Sequence, residues 1–196
     1  MSAPVEKRTL VLLLAINAGM FVVELGIGLL ANSMGLIADS LDMLADAGVY
    51  TAALLAVGST TRRKTHAATV SGVLQLTLAT GLAFEIARRA VEGSEPVSAL
   101  MIAVSAVALC ANTACLVLLR KHRDGEIHMR ASWIFSTTDV QVNVGVILAG
   151  VLVMLTGSAV PDLLIGLAII GIVVRGGVRI LRQAKASYAA SASSTE

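Results

Sequence analysis

Apolar residues in this chain run in long unbroken blocks, with neither strict alternation nor a narrow helical stripe. Six blocks lie near 9–30, 36–58, 67–89, 97–119, 132–156 and 161–181. Each approaches or exceeds the roughly 20 residues that a helix needs to cross a bilayer core. The breaks between them carry turn chemistry or charge. Three are Asn32-Ser33-Met34-Gly35, Gly93-Ser94-Glu95-Pro96 and Gly157-Ser158-Ala159-Val160-Pro161, rich in residues that end helices. The other two are basic, Arg62-Arg63-Lys64-Thr65-His66 and the stretch from Arg120 to Arg130. The pattern predicts an all-α polytopic membrane protein of six transmembrane helices. Residues 1–185 form a single transmembrane domain, and the Ser/Ala-rich stretch 186–196, lacking apolar periodicity, is expected to be a disordered tail.

Composition agrees. The chain is 56% hydrophobic and 14% charged, where soluble domains carry about a quarter charged residues. Aromatics make up only 3%, which argues against the aromatic girdles of a β-barrel. Helix packing must therefore rely on Gly, Ala, Leu and Val. Of the 15 Lys and Arg, all but Arg88 and Arg89 fall on the side of the N-terminus. The positive-inside rule puts that side, and with it both termini, in the cytoplasm. The expected location is the bacterial inner (plasma) membrane, multi-pass, with no nucleic-acid partner. The first apolar block is too long for a signal-peptide core and is read as a retained span.

Six acids fall within the spans: Glu24, Asp39, Asp42, Asp46, Glu85 and Asp139. An ionised group at membrane depth costs at least about 2.5–3.5 kcal/mol on insertion scales, which makes each a functional candidate. With no basic residue away from a span end to neutralise them, the acids must share protons, bind a cation or face water. Asp39, Asp42 and Asp46 sit within about 60° of one face of the second span. Asp42 and Asp46, four residues apart, can hold one ion together; without a cation or proton they repel one another. That is the chemistry of a site exchanging metal for protons. Asp39 lies about one turn from the outer end, where contact with water is the simpler reading.

Asp139, in the fifth span, follows Ser136, Thr137 and Thr138 and lies four residues before Asn143. An acid with such neighbours can complete a site across a helix interface. Asn17 and Gln141 suit hydrogen bonding behind the ligands or between helices. Glu24 faces the outer half of the first span, lining an entrance or lying at the surface. Glu85 is most simply the ion-pair partner of Arg88 and Arg89. His66, His122 and His128 fall in basic cytoplasmic loops and read as solvated. Cys110 and Cys115, five apart, do not share a helical face and read as small apolar residues.

The run Ile16-Asn17-Ala18-Gly19-Met20-Phe21-Val22-Val23-Glu24-Leu25, leading through Asn32-Ser33 into Ala38-Asp39-Ser40-Leu41-Asp42-Met43-Leu44-Ala45-Asp46-Ala47, resembles the first two spans of the cation diffusion facilitator family of metal/proton antiporters. Pro161-Asp162-Leu163-Leu164-Ile165-Gly166-Leu167 is similar to the start of that family's sixth span. The resemblance implies a ligand pair in span two, matched by Asp42 and Asp46, and a second pair in span five, matched at its second member by Asp139. The first member would fall at Phe135, which cannot coordinate a metal, so Ser136, Asn143 or water is left as the fourth ligand, with Asp39 a further candidate. The resemblance also implies a homodimer, expected to form mainly through transmembrane helices because the chain looks like the form without the family's C-terminal cytoplasmic domain.

The leading expectation is thus a secondary transporter, not an enzyme and without cofactors, that exports a divalent metal in exchange for protons. Three carboxylates form a hard oxygen set suited to Mn²⁺, Fe²⁺ or Mg²⁺ as well as Zn²⁺; the resemblance favours Zn²⁺, with Cd²⁺ its companion and Co²⁺ also within range. Two other classes fit less well. An exporter of organic cations would pair its acids with aromatic cages, and Trp133 is the only Trp. A metal-dependent membrane phosphotransferase would need Asp-Gly and Ala-Arg pairs between its aspartates, and Ser40 and Met43 stand after Asp39 and Asp42 instead.

Overall fold

A left-handed residue closes the helix at each of the three outer turns. Asn32 has φ 52°, Gly93 φ 89° and Gly157 φ 65°; glycine and asparagine are the residues that enter this region at least cost. The turn amides then close back onto the helices they leave, Gly93 N–H to Arg89 O at 2.8 Å and Gly157 N–H to Val153 O at 2.9 Å. The computed structural model describes residues 3–56, 61–120 and 127–193. It comprises α1 (Ala3–Leu30), α2 (Met34–Ala56), α3 (Thr61–Glu92), α4 (Ser98–Leu119), α5 (Ile127–Thr156) and α6 (Val160–Ser193).

Every expected span lies in one of these helices, and the three turn-forming breaks separate helices. The basic break at 62–66 is different: α3 begins at Thr61, so that run, His66 included, is helical, and residues 127–130 of the second basic stretch already belong to α5. The end of α6 differs from expectation. Helix continues through Ser193, so most of the stretch read as a disordered tail is helical. Alanine, the strongest helix former, recurs through 184–192 and sustains the helix without an apolar face.

Five helices contain stretches long and apolar enough to cross a membrane: Lys7–Leu30, Ala68–Glu92, Ser98–Leu119, Ser136–Thr156 and Val160–Ala186. The exception is α2, the helix that carries Asp39, Asp42 and Asp46. It is also the central one: among the described residues α2 touches all five other helices, and positions 33–43 are buried without a break. The surrounding helices turn apolar side chains outward, as Phe84 (74% exposed) and Leu155 (73% exposed) show. This inverted arrangement, apolar outside and acidic at the axis, fits a lipid surround and an ionic interior.

The outer half of the bundle is filled by a large apolar core that includes Met34, Leu36, Ile37, Met101, Val146 and Ile169. Here α2 and α6 are locked together. Asp162, at the start of α6, accepts hydrogen bonds from Ser33 Oγ (2.6 Å), Met34 N–H (2.7 Å) and Gly35 N–H (2.9 Å). Ser33 Oγ in turn accepts from Leu36 N–H at 3.2 Å. The free amides of the first turn of α2 are thus capped by a carboxylate from another helix, and the negative charge suits a helix N-terminus. The close approach needs glycine: a Cβ on Gly166 would come 3.1 Å from the Met34 carbonyl.

Candidate functional site

On the other side of α2, polar side chains from α1, α2, α4 and α5 line one interior compartment. Helices α1 and α2 supply Asn17, Glu24, Asp39, Asp42 and Asp46; α4 and α5 supply Ser105, Asn112, Ser136, Asp139 and Asn143. All are buried. At 1.5 Å per residue, Asp39 and Asp46 are separated by about 10 Å along α2, so the acids form a ladder running from the outer half of the bundle towards the cytoplasmic side.

The expected ligands share this compartment. Asp139 lies within electrostatic reach of Asp46, Asp42, Asp39 and Glu24, and Asp42 acts on both Asp39 and Asp46. Among the described residues, however, no three His, Cys, Asp or Glu side chains stand close enough to grip one ion. The acids are gathered in a common space without being drawn to a point. Many of their oxygens have nothing to bind: both carboxylate oxygens of Glu24, Oδ1 of Asp39 and Oδ2 of Asp139 are buried without a hydrogen-bond partner, as are the side-chain oxygens of Asn17 and Asn112.

The polar side chains expected to assist do so unequally. Asn143 turns to Asp39 rather than Asp139. Its Nδ2 donates to Asp39 Oδ2 at 2.6 Å, and its Oδ1 accepts from Asn112 Nδ2 at 2.9 Å. Ser136 is buried beside the Tyr50 hydroxyl. Asn17 donates to Leu13 O of its own helix at 2.9 Å, while Gln141 is exposed. Asp39 and Glu24 are both completely buried, so neither is the surface acid that its nearness to a span end suggests.

Ion pairing among the described residues lies elsewhere. Glu85 pairs with Arg88 and Arg89 as expected, and Arg88 also binds Glu92. Arg89 further donates to Asn32 O at 2.7 Å, capping the C-terminal end of α1. No described basic side chain pairs with the interior acids. His66 is exposed. His122 and the side chains of His128, Trp133 and Phe135 lie outside the described residues. Cys110 is exposed and Cys115 buried, as expected of two positions on different helical faces.

Two contributors give little signal in sequence. Asn112 joins the compartment through Asn143 and stands 3.9 Å from the Met43 sulfur. Tyr50 is completely buried, with its hydroxyl 3.5 Å from Asp46 Oδ2. Tyr50 falls one turn after Asp46, a spacing that could have flagged it.

An oxygen-rich interior with several unpartnered acceptors and, among the described residues, no basic side chain paired to its acids can accept and pass on cations. No curated protein matches the chain. The cation efflux transmembrane domain matches residues 10–187, nearly the whole of the six-helix bundle, and with this acidic interior the chain belongs to the cation diffusion facilitator family of membrane metal-cation transporters.

Proposed function

We propose that this cation efflux protein exports a divalent transition metal, zinc foremost with cadmium as its companion, from the cytoplasm in exchange for protons. Asp42, Asp46 and Asp139 are the transport ligands. The observation that carries the reading is the compartment's unbalanced chemistry: five buried carboxylates on three helices have no basic partner among the described residues. A divalent ion supplies the missing charge and draws Asp42, Asp46 and Asp139 together. When the ion leaves, protons take its place. This alternation couples an inward proton gradient to outward metal flux.

The ligand set is all oxygen, so selectivity is broader than in a histidine site, and Mn²⁺, Fe²⁺ and Co²⁺ are within its range. The working unit proposed is a homodimer joined through transmembrane helices, with the site inside each copy.

Proteoliposomes holding the protein test the reading. Zinc flux is expected to follow an imposed proton gradient and to vanish in Asp42→Asn, Asp46→Asn and Asp139→Asn, each reaching the membrane at parental levels. Zinc added to the protein in weakly buffered detergent should release protons. Zinc binding without proton release at neutral pH would refute the antiport. Full flux in all three variants would refute the ligand assignment.

A further inference from the structure

The acidic compartment is sealed unequally at its two ends. Towards the outside stands the large apolar core around Met34, Leu36 and Ile37. Towards the cytoplasm, the described seal is one small cluster: Tyr50 of α2, Leu10 and Leu13 of α1, and Cys115 and Leu119 of α4. Tyr50 is its bulkiest member and is completely buried. Here α1, α2 and α4 meet around one ring, one turn further into the cell than Asp46.

The ring also carries the cluster's polar handle. The Tyr50 hydroxyl is 3.5 Å from Asp46 Oδ2, long against the usual 2.7–2.8 Å or so for an O–H···O bond. Asp139 is also within its electrostatic reach. The Ser136 hydroxyl of α5 also stands beside this tip. A buried aromatic so placed can swing with its hydroxyl following the carboxylate or meeting an arriving ion's hydration shell. A leucine there would seal as well but would offer the ion nothing.

We propose that Tyr50 is the cytoplasmic gate of the acidic compartment, its ring closing the approach to Asp46 and Asp139 from the inner face. The inference rests on the ion route proposed above, yet its test needs no metal, because the seal contains a native reporter. Cys115 packs in the Tyr50 cluster and is completely buried, and replacing the exposed Cys110 (Cys110→Ser) leaves Cys115 as the single thiol.

The experiment is labelling with a membrane-impermeant cationic methanethiosulfonate, applied to inside-out and right-side-out vesicles in the Cys110→Ser background. The parent should label slowly from both faces. Tyr50→Ala should raise labelling from the cytoplasmic face by about tenfold or more, since a vacated space beside polar groups fills with water, and should leave labelling from the outer face unchanged. Tyr50→Phe, which keeps the ring, should label like the parent. Leu13→Ala, which opens the same seal from α1, serves as a second variant should Tyr50→Ala fail to reach the membrane. Faster labelling from both faces means a loosened bundle and overturns the gate, as does parental labelling in both alanine variants. A Tyr50→Phe variant as reactive as Tyr50→Ala overturns assignment of the seal to the ring. Zinc flux in the same vesicles reports separately on the transport reading: labelling can obey these expectations while zinc fails to move, and the reverse.

Discussion

Asn143 of α5 donates its amide to Asp39 of α2 at 2.6 Å, bridging the two helices that carry the proposed ligands. Its amide oxygen is meanwhile occupied by Asn112 of α4. In this arrangement Asn143 organises three helices around Asp39, and neither end of its amide is free for an ion.

Removing that bridge should therefore cost stability before it costs binding. Asn143→Ala takes from an Asp39 oxygen its donor and leaves the Asn112 amide with only the Met43 sulfur; a buried group left unsatisfied costs about 1–3 kcal/mol. Thermal unfolding in detergent should shift down accordingly, while zinc affinity by calorimetry stays close to the parent's. A large loss of affinity with unchanged unfolding would instead make Asn143 a direct ligand.

Glu24 should behave in the opposite way. Among the described residues both its oxygens are buried without a hydrogen-bond partner, and Asp39, Asp42 and Asp139 lie within its electrostatic reach. A carboxylate kept in such a place is held against stability, and apolar replacement of buried charge can stabilise by about 1–4 kcal/mol. Glu24→Leu should raise the unfolding temperature and slow zinc flux, the exchange of stability for function typical of working sites. Unfolding and flux assays on one preparation check both halves.

The cap from α6 is a pure stability element on this account. Asp162→Ala strips three hydrogen bonds from a charged acceptor and frees two backbone amides at the start of α2, a loss of about 2–4 kcal/mol. Asp162→Asn should recover part of it. Because α2 carries three of the acids, the surviving folded protein should bind zinc with unaltered affinity but transport poorly when warmed. Comparing affinity with flux across temperature separates a weakened cap from a lost ligand.

The resemblance to the family's span-five ligand pair puts its first member at position 135, where this chain has phenylalanine. Phe135→His should tighten zinc binding and favour zinc over manganese, because imidazole suits zinc better than a further hard oxygen does. Competition titration of the two metals gives the answer. Unchanged preference in a folded variant would mean that position 135 does not face Asp139.

The signals legible in sequence were the ones carried locally. Asn32, Gly93 and Gly157 mark helix ends because left-handed backbone is a property of single residues. The acids of α2 stand out because lipid makes them anomalous wherever they point. What sequence withheld depends on residues far apart in the chain. Asp162 caps amides 127 and 128 positions away, so nothing near it announces the role. Glu24 and Asp39 looked like surface acids by depth alone, and only the packing of neighbouring helices shows that both are enclosed. Tyr50 stands out only once Leu10, Leu13, Cys115 and Leu119 are seen to close around it. The end of α6 differs from expectation for another reason: a stretch without an apolar face can still be helical, because alanine needs no partner surface to favour a helix.

The polar character of α2 has a consequence for how the protein is made. When α2 leaves the ribosome, the α4 and α5 surfaces that will enclose Asp42 and Asp46 have not been synthesised. Released alone into lipid, it would expose three carboxylates to hydrocarbon. It must therefore be sheltered by the insertion machinery, or stay paired with α1 near the headgroups, until its later neighbours arrive. The helix at the centre of the finished bundle is thus translated before the α4, α5 and α6 partners it needs.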